Sequence, residues 1–173
     1  MLNMTKKAVS VLLIFILSAT LSSCRYETRV DFSELIRRMN NVNDTYEGDV
    51  RSSFYYNGEW FLFTDTASEK DILITGKEDS DKKLLSVSVS AVNNKNEEQK
   101  EIFSDFCKAA VRAFTENYDS EKIIEDSGIC NTEALFTEGA YFSENERFTT
   151  SLYTTETGCS FIISIKTYGD DST

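Results

Sequence analysis

The segment KLLSVSVSAV, residues 83–92, alternates aliphatic side chains with serines. Successive side chains of a β-strand point to opposite faces of the sheet, so one side of this segment is apolar and the other carries hydroxyl groups. Antiparallel sheets tolerate this division, because one face can cover a core while the other faces water. The pattern therefore predicts an antiparallel sheet with one buried face. The aliphatic positions are Leu85, Val87, Val89 and Ala91.

A β-hairpin is predicted in residues 50–64, VRSSFYYNGEWFLFT, around Asn57-Gly58. Asn-Gly between hydrophobic runs is the strongest short signal for a hairpin with a two-residue type I′ turn. That turn places Tyr55 opposite Trp60. One face of the hairpin then forms a core surface from Phe54, Phe61 and Phe63. The other face carries Tyr55, Trp60 and Leu62.

The face formed by Tyr55, Trp60 and Leu62 is the candidate binding surface. Exposed aromatic clusters of this kind bind peptides, sugars or protein partners. The alternative is a sheet that is covered on both faces, or one that curls until Trp60 is buried. The solvent exposure of the three side chains distinguishes these two cases.

Helices are predicted on both sides of this strand region. The first begins with Asp31 as N-cap and Glu34 three residues later, which is the pattern of a capping box. Asn96 and Gln99 repeat that pattern at the start of a long helix. A shorter helix covers about residues 119–127 and is stopped by Gly128. Further strands are predicted at about 71–75, 139–143, 146–155 and 159–167.

The predicted order is one helix, four strands, two helices and three strands. Runs of strands separated by runs of helices are typical of α+β folds. We therefore predict one α+β domain over residues 31–168, an antiparallel meander sheet with the helices packed on one face. The last residues, 169–173, are predicted to form a frayed tail.

Composition excludes several kinds of site. The chain contains no histidine, which excludes Ser-His-Asp and Cys-His catalysis and histidine-ligated zinc. Its net charge of −11 argues against nucleic acid as a partner, because nucleic-acid binding needs a basic surface. The sequence indicates no catalytic residue, no metal site and no cofactor. Paired carboxylates among the 29 acidic residues stay open as an acid–base site.

The first 24 residues have the layout of an export signal. Lys6 and Lys7 precede an apolar run that, even extended to Leu21, covers 14 residues. A helix needs about 20 residues to cross the hydrocarbon of a bilayer, so the run is too short for a membrane span. The segment Leu21-Ser22-Ser23-Cys24 resembles the lipobox of bacterial lipoproteins.

This resemblance implies a role for Cys24. In that family the cysteine thiol receives a diacylglyceryl group and a signal peptidase cuts before it. Residues 1–23 would then be a signal peptide, and Cys24 would anchor the mature chain to the extracytoplasmic face of the cell membrane. Residues 24–30 would form a short tether. The alternatives are an ordinary signal peptide and a short anchor helix with an incidental cysteine.

Three further cysteines lie in the domain, at positions 107, 130 and 159. An odd number allows at most one internal disulfide. Cys107 falls on the apolar stripe of the long helix and is most simply a core residue. If a bridge forms, we expect it between Cys130 and Cys159, and the alternative is no bridge.

These patterns favour a membrane-anchored bacterial lipoprotein with a small acidic domain that binds without catalysing. The expected partner is another envelope or secreted protein, bound through the exposed sheet face or the acidic helical surface. One alternative is a small-ligand-binding lipoprotein associated with a transporter. Another is a carboxylate-dependent cell-wall hydrolase, which would bring two or more acidic side chains together in a cleft.

Overall fold

The computed structural model describes residues 30–42, 54–56, 60–65, 70–92, 96–116 and 118–166. Cys24 and the rest of the leader, the hairpin residues 57–59 and the tail at 169–173 lie outside these ranges. The predictions made for them stay predictions.

The described residues form an α+β fold, as predicted. The helices are α1 (Phe32–Val42), α2 (Glu97–Phe114), α3 (Ser120–Asp126) and α4 (Thr132–Phe136). The strands are β1 (Phe54–Tyr56), β2 (Trp60–Asp65), β3 (Lys70–Glu78), β4 (Leu84–Val92), β5 (Gly139–Glu144), β6 (Phe148–Thr154) and β7 (Gly158–Ile165). None of the helices within these ranges has the length and apolar character needed to cross a bilayer.

The predicted element order lacked α4. This helix has only five residues, too few to show an apolar period in the sequence. Its start is set by Asn131, whose side-chain oxygen accepts hydrogen bonds from the backbone amides of Glu133 (2.9 Å) and Ala134 (3.4 Å). The observed order is therefore one helix, four strands, three helices and three strands.

The strands form one antiparallel sheet in the order β1-β2-β3-β4-β7-β6-β5. It consists of two meanders. The first follows the chain from β1 to β4. The second begins at the opposite edge with β5 and ends in the middle of the sheet, where β7 pairs with β4. Strands β1 and β5 are therefore the edge strands.

The core lies between the helices and one face of this sheet. Phe103 and Phe114 of α2 are fully buried there, together with Phe148 of β6 and Phe161 of β7. The rings of Phe114 and Phe148 meet edge to face with their centroids 5.9 Å apart. Full burial of a phenylalanine side chain contributes about 1.5–3 kcal/mol, so these four rings hold α2 firmly on the sheet.

Both predicted helix starts are present. Asp31 Oδ1 accepts a hydrogen bond of 2.8 Å from the Glu34 amide at the start of α1. At α2, the Gln99 amide donates to Asn96 Oδ1 at 2.8 Å, and the Asn96 amide donates to Gln99 Oε1 at 3.4 Å, which completes the capping box. Helix α3 ends just before Gly128, also as predicted.

The predicted register of β1 with β2 is wrong by two residues. Tyr55 lies opposite Leu62, whereas the sequence predicted Trp60. The last pair joins Tyr56 to Phe61, so four residues of sequence separate the last paired positions, where the predicted type I′ turn has two. A shift by two residues keeps every side chain on its face, and the hydrophobic pattern therefore cannot distinguish these two registers.

Strand β4 follows the predicted alternation except near its start. Leu84 is fully buried, whereas Leu85, which was predicted for the core face, is half-buried. The register with β3 shifts between Lys77 and Glu78. A β-bulge of this kind re-aims the neighbouring side chains, and here it brings Leu84 into the core.

The predicted Cys130–Cys159 bridge is not present, and both residues are free thiols. Cys159 is 4% exposed, with its Sγ 3.8 Å from Thr154 Oγ1 in the core, whereas Cys130 is exposed between α3 and α4. A disulfide requires Cβ atoms about 3.5–4.5 Å apart, and the buried Cys159 and the exposed Cys130 do not form one. Cys107 is fully buried on α2, as predicted.

Candidate binding face

We call the sheet face opposite the core the open face. Along β6 and β7 the residues between the buried positions are half-buried or exposed, with a period of two. The strand registers align these residues in rows across the sheet. One row contains Leu62, Leu73, Ser90, Ser160 and Tyr153. The next row contains Trp60, Thr75, Ser88, Ile162, Ser151 and Phe142.

One end of the open face is apolar, and we name Trp60, Leu62 and Leu73 the tryptophan patch. Leu62 and Leu73 lie directly opposite each other on β2 and β3. Leu73 is 39% exposed, and Trp60 and Leu62 are half-buried, so the core does not enclose this patch. Tyr55 lies beside it, because its backbone pairs with that of Leu62. The side chain of Tyr55 is outside the described part of the chain.

The middle of the open face carries hydroxyl groups. Ser86 and Ser90 of β4 lie opposite Ser164 and Ser160 of β7, Ser88 lies opposite Ile162, and all six are half-buried. The hydroxyl oxygens of Ser90 and Ser160 are 3.0 Å apart and form a hydrogen bond. Because serine side chains are short, these serines project less far from the sheet than the side chains at the apolar ends of the face.

The far end of the open face carries two aromatic rings, which we call the Phe142–Tyr153 pair. Phe142 of β5 is 65% exposed and Tyr153 of β6 is 40% exposed. Their rings meet edge to face with a centroid distance of 5.6 Å. Such aromatic contacts add about 0.5–1.5 kcal/mol beyond the area they bury, which fixes the two rings relative to each other.

The open face is uncharged across its middle, although the chain has a net charge of −11. On the described strands, the charged side chains of this face lie at strand ends, namely Asp71, Lys77 and Glu144. Glu144 forms an ion pair of 3.0 Å with Lys166. The centres of protein interfaces are likewise depleted in charge and enriched in aromatic residues.

A small cleft of about 10 Å³, room for about one water molecule, lies on the other side of the sheet, where α3 meets β5 and β6. Asp126 lines it from α3, and Glu144, whose side chain belongs to the open face by its register, adjoins it at the end of β5. Both side chains are exposed to solvent, and Lys166 pairs with Glu144 at 3.0 Å, so the two acidic side chains do not meet in an enclosed cleft. Pockets for small ligands usually enclose about 300–1,000 Å³, so this cleft gives little support to a small-ligand receptor.

Sequence reasoning located Trp60 and Leu62 but missed Leu73, Phe142 and Tyr153. Their strands were predicted, yet the face that a residue occupies depends on the register with a neighbouring strand. Strand β7 pairs with β4 across about seventy positions of sequence, and no local pattern specifies that pairing. The sequence signal that could have located Tyr153 is the alternation of β6, because Tyr153 lies on the same side of that strand as Thr149 and Ser151.

No protein-family model, curated protein or solved structure matches this chain. Within the described ranges, no three cysteine, aspartate or glutamate side chains are grouped closely enough to hold a metal ion. The function is therefore inferred from the chain's own residues.

Proposed function

We propose that this chain is a bacterial lipoprotein, anchored through Cys24 to the extracytoplasmic face of the cell membrane, and that its open face binds another envelope or secreted protein. The observation that carries the proposal is the uncharged, partly apolar face of a chain whose net charge is −11. Clustered exposed apolar side chains on soluble domains mark interaction surfaces. The tryptophan patch supplies the type of residue that dominates binding energy in protein interfaces.

The segment between the proposed anchor, Cys24, and the packed domain is short. Val30 is fully buried, and its carbonyl oxygen accepts a hydrogen bond of 3.0 Å from the Leu84 amide, so Val30 is part of the packed domain. Residues 25–29 alone separate it from Cys24. An extended chain covers about 3.5 Å per residue, so under this proposal Val30 stays within about 20 Å of the lipid. A partner would have to be another component of the same envelope, or a protein that reaches its surface.

Site-specific photo-cross-linking from Leu73 tests the binding face. A photoreactive amino acid at this position, in the full chain and in cells with their envelope intact, is expected to capture one partner protein. The Trp60→Ala substitution should lower the yield at least tenfold, because truncation of a central aromatic residue at an interface costs about 2 kcal/mol or more and about 1.4 kcal/mol is tenfold. The yield is measured on immunoblots, and thermal unfolding shows whether the Trp60→Ala chain is folded.

Tyr141 provides the matched control position. It is 43% exposed on β5, close to the 39% of Leu73, but it lies on the core side of the sheet. Equal cross-linking from positions 73 and 141, or an unchanged yield from a folded Trp60→Ala chain, would refute binding through the open face.

A further inference from the structure

Strand β5 is an edge strand with little protection against pairing with another extended chain. It pairs with β6 on one side, and five of its six residues are exposed. Natural sheet edges are usually protected by charged side chains, a proline or a β-bulge. Between Gly139 and Ser143, β5 has none of these devices. The opposite edge strand, β1, is only three residues long and offers a much shorter ladder.

We propose that β5 pairs antiparallel with β5 of a second copy of this chain, about a two-fold axis perpendicular to the sheet. The free backbone N–H and C=O groups of a sheet edge bond to another extended chain, so a strand is the occupant that this edge fits. The two sheets of seven strands would join into one of fourteen. This pairing depends on β5 and not on the tryptophan patch.

The two-fold axis restricts the register. Directly paired residues of an antiparallel ladder lie on the same face, so Phe142 must face an open-face residue of the second copy. Two registers meet this condition and pair five residues of each strand. One is centred on Tyr141 and the other on Phe142.

Charge distinguishes the two registers. Centring on Tyr141 places Glu144 opposite Glu138 of the second copy at both ends of the ladder, and like charges directly opposite each other weaken pairing. Centring on Phe142 places Glu144 opposite Ala140, while Lys166 stays paired with Glu144 at 3.0 Å. The ladder then ends at the Asn145 turn, where Asn145 Oδ1 accepts hydrogen bonds from the Arg147 and Phe148 amides, both at 2.8 Å. The register centred on Phe142 is therefore favoured.

This register also covers exposed apolar surface. Phe142 is 65% exposed in one copy and would face Phe142 of the second copy on the axis. The two Phe142–Tyr153 pairs would then form one cluster of four rings. The open faces of both copies would lie on the same side of the joined sheet.

Cysteine cross-linking tests the axis. In the full chain, Cys130→Ser first removes an exposed thiol. Adding Phe142→Cys is expected to give a disulfide-linked dimer on non-reducing gels, since opposite Cβ atoms across a strand pair lie about 4.5–5.5 Å apart. Tyr141→Cys, which faces Ser143 of the second copy, should stay at the background of the Cys130→Ser chain. The reverse result would overturn the register, and background levels at both positions would overturn the pairing.

Charge substitution at Ala140 gives a second, independent measurement. Ala140→Glu faces Glu144 of the second copy twice per dimer and should raise the dissociation constant about tenfold in analytical ultracentrifugation. Ala140→Lys has a side chain of similar length and should leave the dimer as tight or tighter. Equal effects of the two substitutions, or a full chain that stays monomeric at every concentration, would overturn the proposal. Trp60→Ala should leave the dimer unchanged, so this result is separate from the test of the open face.

Discussion

At the scale of single residues, Gly128 has two reasons to lack a side chain. It follows α3 with φ +79°, in the left-handed region that ends many helices. A Cβ atom here would also lie 2.9 Å from Cδ1 of Tyr141, which reaches over this glycine from β5. The sequence predicted the first role, because a glycine after a helical stretch is a stop signal. It could not predict the second, because Tyr141 comes from another element.

The Gly128→Ala substitution should destabilise the domain by about 1–3 kcal/mol, through the strained backbone and the displaced tyrosine ring. Urea unfolding measures the change. In a Tyr141→Ala background the same substitution should cost less, because only the backbone contribution remains. An unchanged unfolding midpoint in the single variant would contradict both reasons.

At the scale of elements, an ion-pair network joins α1 to the end of α2. The Glu34 carboxylate accepts hydrogen bonds from Arg37 (2.6 Å) and from Arg38 (2.8 Å), and Arg38 also reaches Glu116 at 3.1 Å. The Arg37 and Arg38 guanidinium groups lower the pKa of Glu34 from 4.5 to about 2. Helix α1 therefore depends on charge as well as on its buried face.

A lowered carboxyl pKa gives this network a pH dependence of known sign. Its stabilisation is present above the unfolded-state pKa and is lost as the pH falls towards the folded-state pKa. Glu34→Gln should therefore lower the melting temperature at neutral pH, and its difference from the native chain should shrink below about pH 4.5 and be lost as the pH falls through about 2. Melting curves over this range measure it, and high salt should reduce the difference because the pair is exposed. A difference that stays constant down to pH 2 would refute the network.

Most elements could be predicted because their signals are local. The capping box of α2 and the alternation of β6 and β7 involve residues close together in sequence. The register of β1 on β2 could not be predicted, since registers that differ by two residues bury the same side chains. Helix α4 was not predicted because its five residues form little more than one turn, which is too short to show an apolar period.

At the scale of the whole molecule, the candidate site could be predicted only in part. Trp60 and Leu62 share a strand, so their common face followed from a period of two. Leu73, Phe142 and Tyr153 join that face through pairings of β3, β5 and β6 that only the assembled sheet defines. The absence of charge from the middle of the face likewise emerges only from the order of the strands.

The proposed anchor gives the whole molecule a testable location. The native chain should fractionate with membranes, and mass spectrometry should find a diacylated Cys24 as its first residue. Cys24→Ser should release the domain or leave its leader uncleaved, because the acyl chains supply the membrane attachment, about 0.8 kcal/mol for each buried methylene group. A membrane-bound Cys24→Ser chain with normal processing, or a native chain that carries no lipid, would refute the anchor.

The place of β7 in the sheet sets an order of assembly. This strand is the last of the described strands in sequence but sits between β4 and β6, so β4 has no partner on its inner side until β7 is in place. During synthesis, the amino-terminal half must wait for residues 158–165 before its sheet can close. A nascent or truncated chain therefore exposes the unpaired edge of β4. Release from a chaperone before β7 is made would leave such a chain prone to aggregation.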